Sequence, residues 1–258
     1  MWLQNAGFIW VPLILASTLA AWFGMDDLSD RHAGMAQQAV IFTRRHNWLM
    51  CWLYLGTFGS FIGFAASLPM LAQSQFHRAD ALHLVWLGPL IGAVLRPLGG
   101  WMADLWGGAR VTLWIFVAMA LAATMALVCL PAVAGNGGQF AGFLAAFGVL
   151  FAASGIGNGS TFRMISSLFV AERQRHADSL PSAQAAAANE GAIEAAAALG
   201  FASAIGAYGG FFIPKSVGSS LAMTGSASAA LALFIVFYLS CIALTWWACS
   251  RRNAPYPC

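Results

Sequence analysis

Residues 140–170 read FAGFLAAFGVLFAASGIGNGSTFRMISSLFV, and Arg163 is the one charge among them. A bilayer core takes about 20 apolar residues per helix. This run is longer than one crossing needs, so it predicts a transmembrane helix that tilts or extends past the lipid. Within it, Gly155, Gly157 and Gly159 alternate with Ile156 and Asn158 and lead into Ser160 and Thr161. Small residues at this spacing let another helix approach closely. Asn158 is harder to explain by packing alone, because a lone amide in hydrocarbon needs a partner.

Outward from this stretch, six further apolar segments stand near 7–25, 48–72, 82–103, 111–134, 192–214 and 226–250. The chain has 258 residues, 60% of them apolar and 8% charged, with a net charge of +3. A soluble globule needs a larger polar shell than that. The composition excludes a disordered chain, a nucleic-acid binder and an ordinary cytosolic enzyme. The predicted fold class is an all-α polytopic membrane protein of about seven transmembrane helices. The five cysteines (Cys51, Cys129, Cys241, Cys249, Cys258) form no CxxC pair and read as reduced, structural thiols. The opening lacks the basic region that precedes a cleavable signal.

Charge between the spans sets the orientation. Arg31, Arg44 and Arg45 fall in 26–47, Arg110 in 104–110, Arg173 and Arg175 in 171–191, and Arg251 and Arg252 in the tail. The alternate connections carry only Arg78, in 73–81, and Lys215, in 215–225. The positive-inside rule makes the first set, and the C-terminus, cytoplasmic. The start of the chain is then exported, and an odd number of spans with an exported start leads us to expect preceding helices. The 171–191 stretch reads as a solvated connector. Its Ala-rich second half is a good helix former that can continue into the next span.

Two basic residues lie inside spans. Arg163 is near enough to an end to snorkel. Arg96 lies past the middle of its span, about 10 Å from the nearer end, and such a residue is a functional candidate. Gly88, Gly92, Arg96 and Gly100 follow at intervals of four, a slowly drifting stripe that lets a helix or ligand come close. A guanidinium there offers a planar fork to an oxyanion. No Asp or Glu is read deep in a span, which argues against proton coupling. No metal spacing, haem ligand or nucleophile–base set is visible, so neither an enzyme nor a cofactor is expected. In the second span, LYLGTFGSFIGFAASLP (53–69), a regular helix puts Tyr54, Phe58, Phe61 and Ala65 on one face and Gly56, Gly59 and Gly63 on the other. The aromatic face is either a cavity wall or ordinary packing, and Gly59-xxx-Gly63 is a packing spacing.

Between the third and fourth spans runs GGWMADLWGGARV (99–111). Its Asp104 either caps the next helix or pairs with an arginine. This segment, with Gly100, Asp104, Gly107 and Arg110, resembles the conserved inter-helix loop of the major facilitator superfamily. It departs at Leu105, where a basic residue is usual. YLGTFGSFIGFAASLPML (54–71), GIGNGSTFRMI (155–165), IGAVLRPLGG (91–100) and GFFIPKSVGSSLAMTG (210–225) resemble the C-terminal half of NarK-type nitrate/nitrite porters. The resemblance runs from the family's sixth helix to its twelfth. It implies a helix and interdomain linker over 1–47, a six-helix transporter half over 48–250 and a cytoplasmic tail over 251–258. It implies that Arg96 is one of two arginines holding the anion and that Tyr54 and Phe58 shape the cavity; Asn158, whose lone amide needs a partner, is a further substrate-binding candidate. Gly155, Gly157, Gly159 and Ser160 become a signature that lets helices slide. Arg163 receives no role, since a neutral residue is common there.

The implied function is nitrate–nitrite exchange by alternating access in a bacterial inner membrane. The implied partners are nitrate, nitrite, the lipid bilayer and a missing N-terminal half. A carrier half for another small anion, or an assembly fragment without transport, are the alternatives. The topology has a direct check. On a cysteine-depleted background, Gln174→Cys is expected to react with an impermeant thiol reagent only from the cytoplasmic side, and Gly137→Cys only from the other. The reverse pattern overturns the orientation.

Overall fold

The computed structural model describes residues 8, 10–25, 34, 38–132, 135, 137–177, 180–251 and 254. Arg31, Arg252, Cys258 and much of the expected linker and tail lie outside the described residues. The chain forms two compact units, Met1–Met35 and Ala36–Cys258. In the first, helix α1 (Trp10–Gly24) has 15 residues and none of them is buried. It is apolar on every side, as suits a helix surrounded by hydrocarbon.

The second unit is helical throughout its described elements. A 32-residue span, Arg45–Phe76, consists of α2 (Arg45–Tyr54), a π-helical turn at Leu55–Gly59 and α3 (Ser60–Phe76). Then come α4 (Leu87–Trp106), α5 (Gly108–Cys129) and α6 (Phe140–Arg175). The long span Pro181–Thr224 consists of α7 (Pro181–Ala207) and α8 (Gly209–Thr224), and α9 (Ser228–Thr245) ends in a second π turn. Six helices of the described chain are long and apolar enough to cross a membrane, and α1 is a shorter apolar helix. The protein is an all-α polytopic membrane protein.

Two connections are shorter than expected. The 171–191 connector shrinks because α6 continues to Arg175 and α7 begins at Pro181. Proline suits that first helical position, since it lacks an N–H that would go unpaired there. The Ala-rich half is helical, as its propensity predicts. The expected 215–225 connection is instead part of α8, with Pro214 inside the helix and Lys215 exposed on it. The expected span ended at Pro214. In a bilayer, however, a helix satisfies the backbone where a loop cannot, and proline is tolerated.

Lipid tails are as apolar as side chains, so close van der Waals contact must hold these helices together. The tightest contact joins α4 to α6. A Cβ added at Gly99 would strike the Ile156 carbonyl, one at Gly155 the Gly92 backbone, and one at Gly159 the Arg96 carbonyl. The expected four-residue stripe is therefore divided. Gly88, Gly92 and Gly99 are buried against α6, whereas a Cβ at Gly100 would meet nothing within 4 Å. Four residues overshoot a helical turn and seven return to the same face, so Gly99, not Gly100, continues the contact of Gly92.

Elsewhere α3 meets α8, with Gly63 against Ile213 and the Gly209 carbonyl. Phe64 packs edge-on to Phe147 and Phe234 at 5.4 and 5.6 Å between ring centres. Short hydroxyl contacts join helices in the core: Ser60 with Tyr238 at 2.7 Å, Thr112 with Ser160 at 2.9 Å, and Thr57 with Thr161 at 3.1 Å. Cys51, Cys129 and Cys241 are buried free thiols, as expected, and Cys249 is buried as well.

Gly99→Ala is expected to cost about 1–3 kcal/mol, because a backbone carbonyl cannot swing aside as a side chain would. A lowered melting temperature in detergent checks this. Gly148→Ala, where a Cβ would have nothing within 4 Å, is expected to leave melting unchanged.

Candidate functional site

Because its glycines face α6, α4 turns Arg96 outward. Arg96 is exposed, with its guanidinium carbon 6.0 Å from the centre of the Phe162 ring. The next residue, Pro97, lies inside the helix and removes one backbone donor beside it. Among the ion pairs of the described residues none includes Arg96. Arg163 differs. It follows Phe162 on α6, and its Nε donates to Asp104 Oδ1 at 2.5 Å. Asp104 thus pairs across helices, and α5 has no side-chain cap at its N-terminus. Of the two in-span arginines, one is neutralised and the other is open.

Asn158 stands one turn before Phe162 on the same face of α6. It is buried, and its Oδ1 has no hydrogen-bond partner. Gly159, the next residue, lies against the Arg96 carbonyl. A free guanidinium, an aromatic ring and an amide with an unused acceptor are therefore collected along the α4–α6 contact.

Tyr54 and Phe58 belong to another wall. Tyr54 is buried and Phe58 is half-buried; their ring centres are 5.3 Å apart, and both touch the position of Gly206 on α7. The expected single aromatic face is split at this point. The π turn at Leu55–Gly59 inserts a wider turn than the regular helix assumed from sequence. Beyond it Phe61 lies against Gly92 of α4, and edge-on to Phe151 of α6 at 6.1 Å.

The signature glycines divide similarly. Gly155 and Gly159 face α4, while Gly157 sits between Thr57 and Ile115. Ser160 bonds Thr112 of α5. Gly59 lies beside the Gly206 carbonyl and Gly209. The inter-helix motif is tighter than a loop. Gly107 alone separates α4 from α5, at φ 87 and ψ 134, a conformation open essentially to glycine. Arg110 is exposed on α5.

One cluster went unnoticed in the sequence. Glu194, on α7, is buried at 5% exposure. Its Oε1 accepts from Arg44 Nη2 at 3.2 Å and from Arg173 Nη2 and Nε at 2.5 and 3.1 Å. Arg173 also reaches Glu190 at 3.3 Å. A 230 Å³ pocket lined by Val40, Arg173, Glu190, Ile193 and Glu194 lies beside them. This carboxylate ties α6, α7 and the start of α2 together. The available signal was Glu190 and Glu194 at i, i+4 in an otherwise alanine-rich helix.

The chain has relatives among known proteins. The chain is 47% identical over 252 residues to the nitrate/nitrite transporter NarU of Salmonella typhimurium, covering 97% of this chain and 54% of that protein. It is 46% identical over 254 residues to NarU of Escherichia coli, with 98% and 54% covered. Over nearly its whole length the chain is similar to nitrate/nitrite porters. A more distant porter, the probable nitrate/nitrite antiporter NarK2 of Thermus thermophilus, is 33% identical over 262 residues, with 100% of this chain and 54% of that protein covered. The chain spans about half the length of the curated porters it matches. No family model matches the chain.

Glu194→Gln is expected to destabilise the helix bundle by about 1–3 kcal/mol. It leaves two arginines without their shared carboxylate, and their partial exposure tempers the loss. Glu190→Gln, whose side chain is 61% exposed, is expected to change stability by less than about 0.5 kcal/mol. Equal melting shifts in the two variants contradict the assignment.

Proposed function

We propose that this chain is the C-terminal part of a nitrate/nitrite carrier that exchanges the two anions by alternating access. The observation that carries this is the contrast between Arg96, open and without a carboxylate, and Arg163, paired with Asp104. A guanidinium presents parallel donors in one plane, which matches a small planar oxyanion. Arg96 binds the anion. Asn158 supplies a further contact beside it by donating from its Nδ2–H, its Oδ1 being unable to donate to an anion, and Tyr54 and Phe58 wall the cavity. No bond is made or broken in the transported anion.

Exchange follows from electrostatics. An empty carrier must reorient with an uncompensated guanidinium in a low-dielectric path, whereas a loaded one carries a compensated pair. Asp104 and Glu194 are already engaged by other arginines and are poor substitutes for the anion. The crossing is therefore easiest with one anion bound in each direction.

On this proposal residues 1–47 supply a helix and linker, 48–250 one six-helix half, and 251–258 a cytoplasmic tail. The other half supplies the opposing wall and a second arginine, and the two rock about the anion in the manner of pseudo-symmetric carriers. Close glycine contacts around Gly155–Ser160, Gly59 and Gly63 permit small sliding steps. The membrane is the bacterial inner membrane and the C-terminus faces the cytoplasm. The arginine fork suits other small oxyanions equally well; the names of the relatives favour nitrate and nitrite.

Arg96→Lys keeps the positive charge and removes the planar fork. It is expected to lower kcat/KM for nitrate–nitrite exchange by at least about ten-fold in proteoliposomes of the assembled carrier, with insertion unchanged. Unaltered exchange kinetics would sink the role of Arg96.

A further inference from the structure

A second recognition surface lies on the bundle's exterior, away from Arg96. Helices α2, α8 and α9 leave between them a 270 Å³ groove lined by Trp52, Leu55, Phe212, Ile213, Phe234 and Phe237 among others. The polar atoms around it are turned to internal partners. Trp52 Nε1 donates to Ser240 Oγ at 3.1 Å, Ser60 Oγ meets the Tyr238 hydroxyl at 2.7 Å, and Ser216 Oγ donates to the Phe212 carbonyl at 2.7 Å. The groove offers no hydrogen bond to a ligand and accepts hydrocarbon.

One end of this groove leads to positive charge. Residue contacts run antiparallel: Phe64 with Phe234, Ser60 with Tyr238, and Trp52 with Ser240. The start of α2 and the end of α9 therefore reach the same membrane face. Arg45, Trp48 and Trp52 follow at i, i+3 and i+7, one face of α2, and all three are exposed. On α9's side Arg251 stacks over Trp247 at 5.7 Å, and Trp246 and Trp247 are exposed. Neither Arg45 nor Arg251 is in an ion pair among the described residues. From Trp52 to Arg45 is about 10 Å of helix, the distance from upper acyl chain to headgroup. Tryptophans sit at that depth in membranes.

We infer that this surface binds one phospholipid with an anionic headgroup, its acyl chain in the groove and its phosphate between Arg45 and Arg251. An apolar slot, an aromatic belt and two free cations occur in the order that lipid chemistry requires. The inference rests on the chain's being a membrane protein and is independent of the transported anion.

Native mass spectrometry of the full chain tests it, after reconstitution in nanodiscs holding equal phosphatidylglycerol and phosphatidylcholine. The expected result is one retained phosphatidylglycerol per chain. Arg45→Gln and Arg251→Gln are each expected to lower the retained ratio of anionic to zwitterionic lipid about five-fold. Arg78→Gln, in the connection at the other membrane face, is expected to leave it unchanged. Ser216→Trp, which fills the groove, is expected to abolish retention. Far-ultraviolet circular dichroism confirms folding; should Ser216→Trp lose helicity, the arginine variants decide alone. No retained lipid, a ratio insensitive to both arginines, or a lipid-free dimer in its place overturns the proposal.

Discussion

Backbone-to-backbone contact between α4 and α6 is the constraint on which the rest depends. Inside a bilayer, burying apolar side chains gains little over leaving them in lipid, so helices associate where their surfaces fit. Here the fit is made by absence of side chains: Gly92 and Gly99 on one helix, Gly155 and Gly159 on the other, each against opposing backbone. That contact fixes the rotation of α4. With the glycines inward, Arg96 must point away from the bundle, over Phe162, while Asn158 is held in the adjoining turn of α6. A bulkier residue at any of these glycines separates the helices and disperses the three groups.

The distribution of ion pairs completes the arrangement. Arginines in or near the spans are expensive unless paired or hydrated. Arg163 has Asp104, and Arg44 and Arg173 share Glu194. The shared carboxylate is nearly inaccessible, so from the middle of α7 it braces the end of α6 and the start of α2 from within. Of the two arginines inside spans, Arg96 is the one with an aromatic neighbour and no ion pair among the described residues. On the proposed reading, an anion that supplies the missing charge would stabilise the loaded state relative to the empty one, and that difference would favour coupled exchange.

Much of the fold was legible because bilayer thickness imposes a length on apolar runs. The spans over 82–103, 140–170 and 226–250 correspond to helices at Leu82–Trp106, Phe140–Arg175 and Ser228–Ser250. The end of the sixth span was less legible. It was expected at Pro214, yet α8 passes through that residue and on to Thr224. The aromatic face assumed a uniform helix, and the π turn after Tyr54 divided it. Spacing of four suggested Gly100 as a contact where seven makes Gly99 one. Glu194 was visible in the sequence, but its two arginine partners are distant in the chain, and only tertiary packing shows that one carboxylate serves both. The location of Arg96 within a span was legible; its freedom from acidic partners was not.

The measurement that bears most directly on this account is counterflow of labelled nitrate into nitrite-loaded proteoliposomes. The protein is this chain fused behind the first half of the Escherichia coli NarU relative, with nitrite-free vesicles run in parallel. The account predicts rapid nitrate entry that depends on internal nitrite. Folded, inserted protein that admits nitrate equally with and without internal nitrite, or admits none, contradicts it.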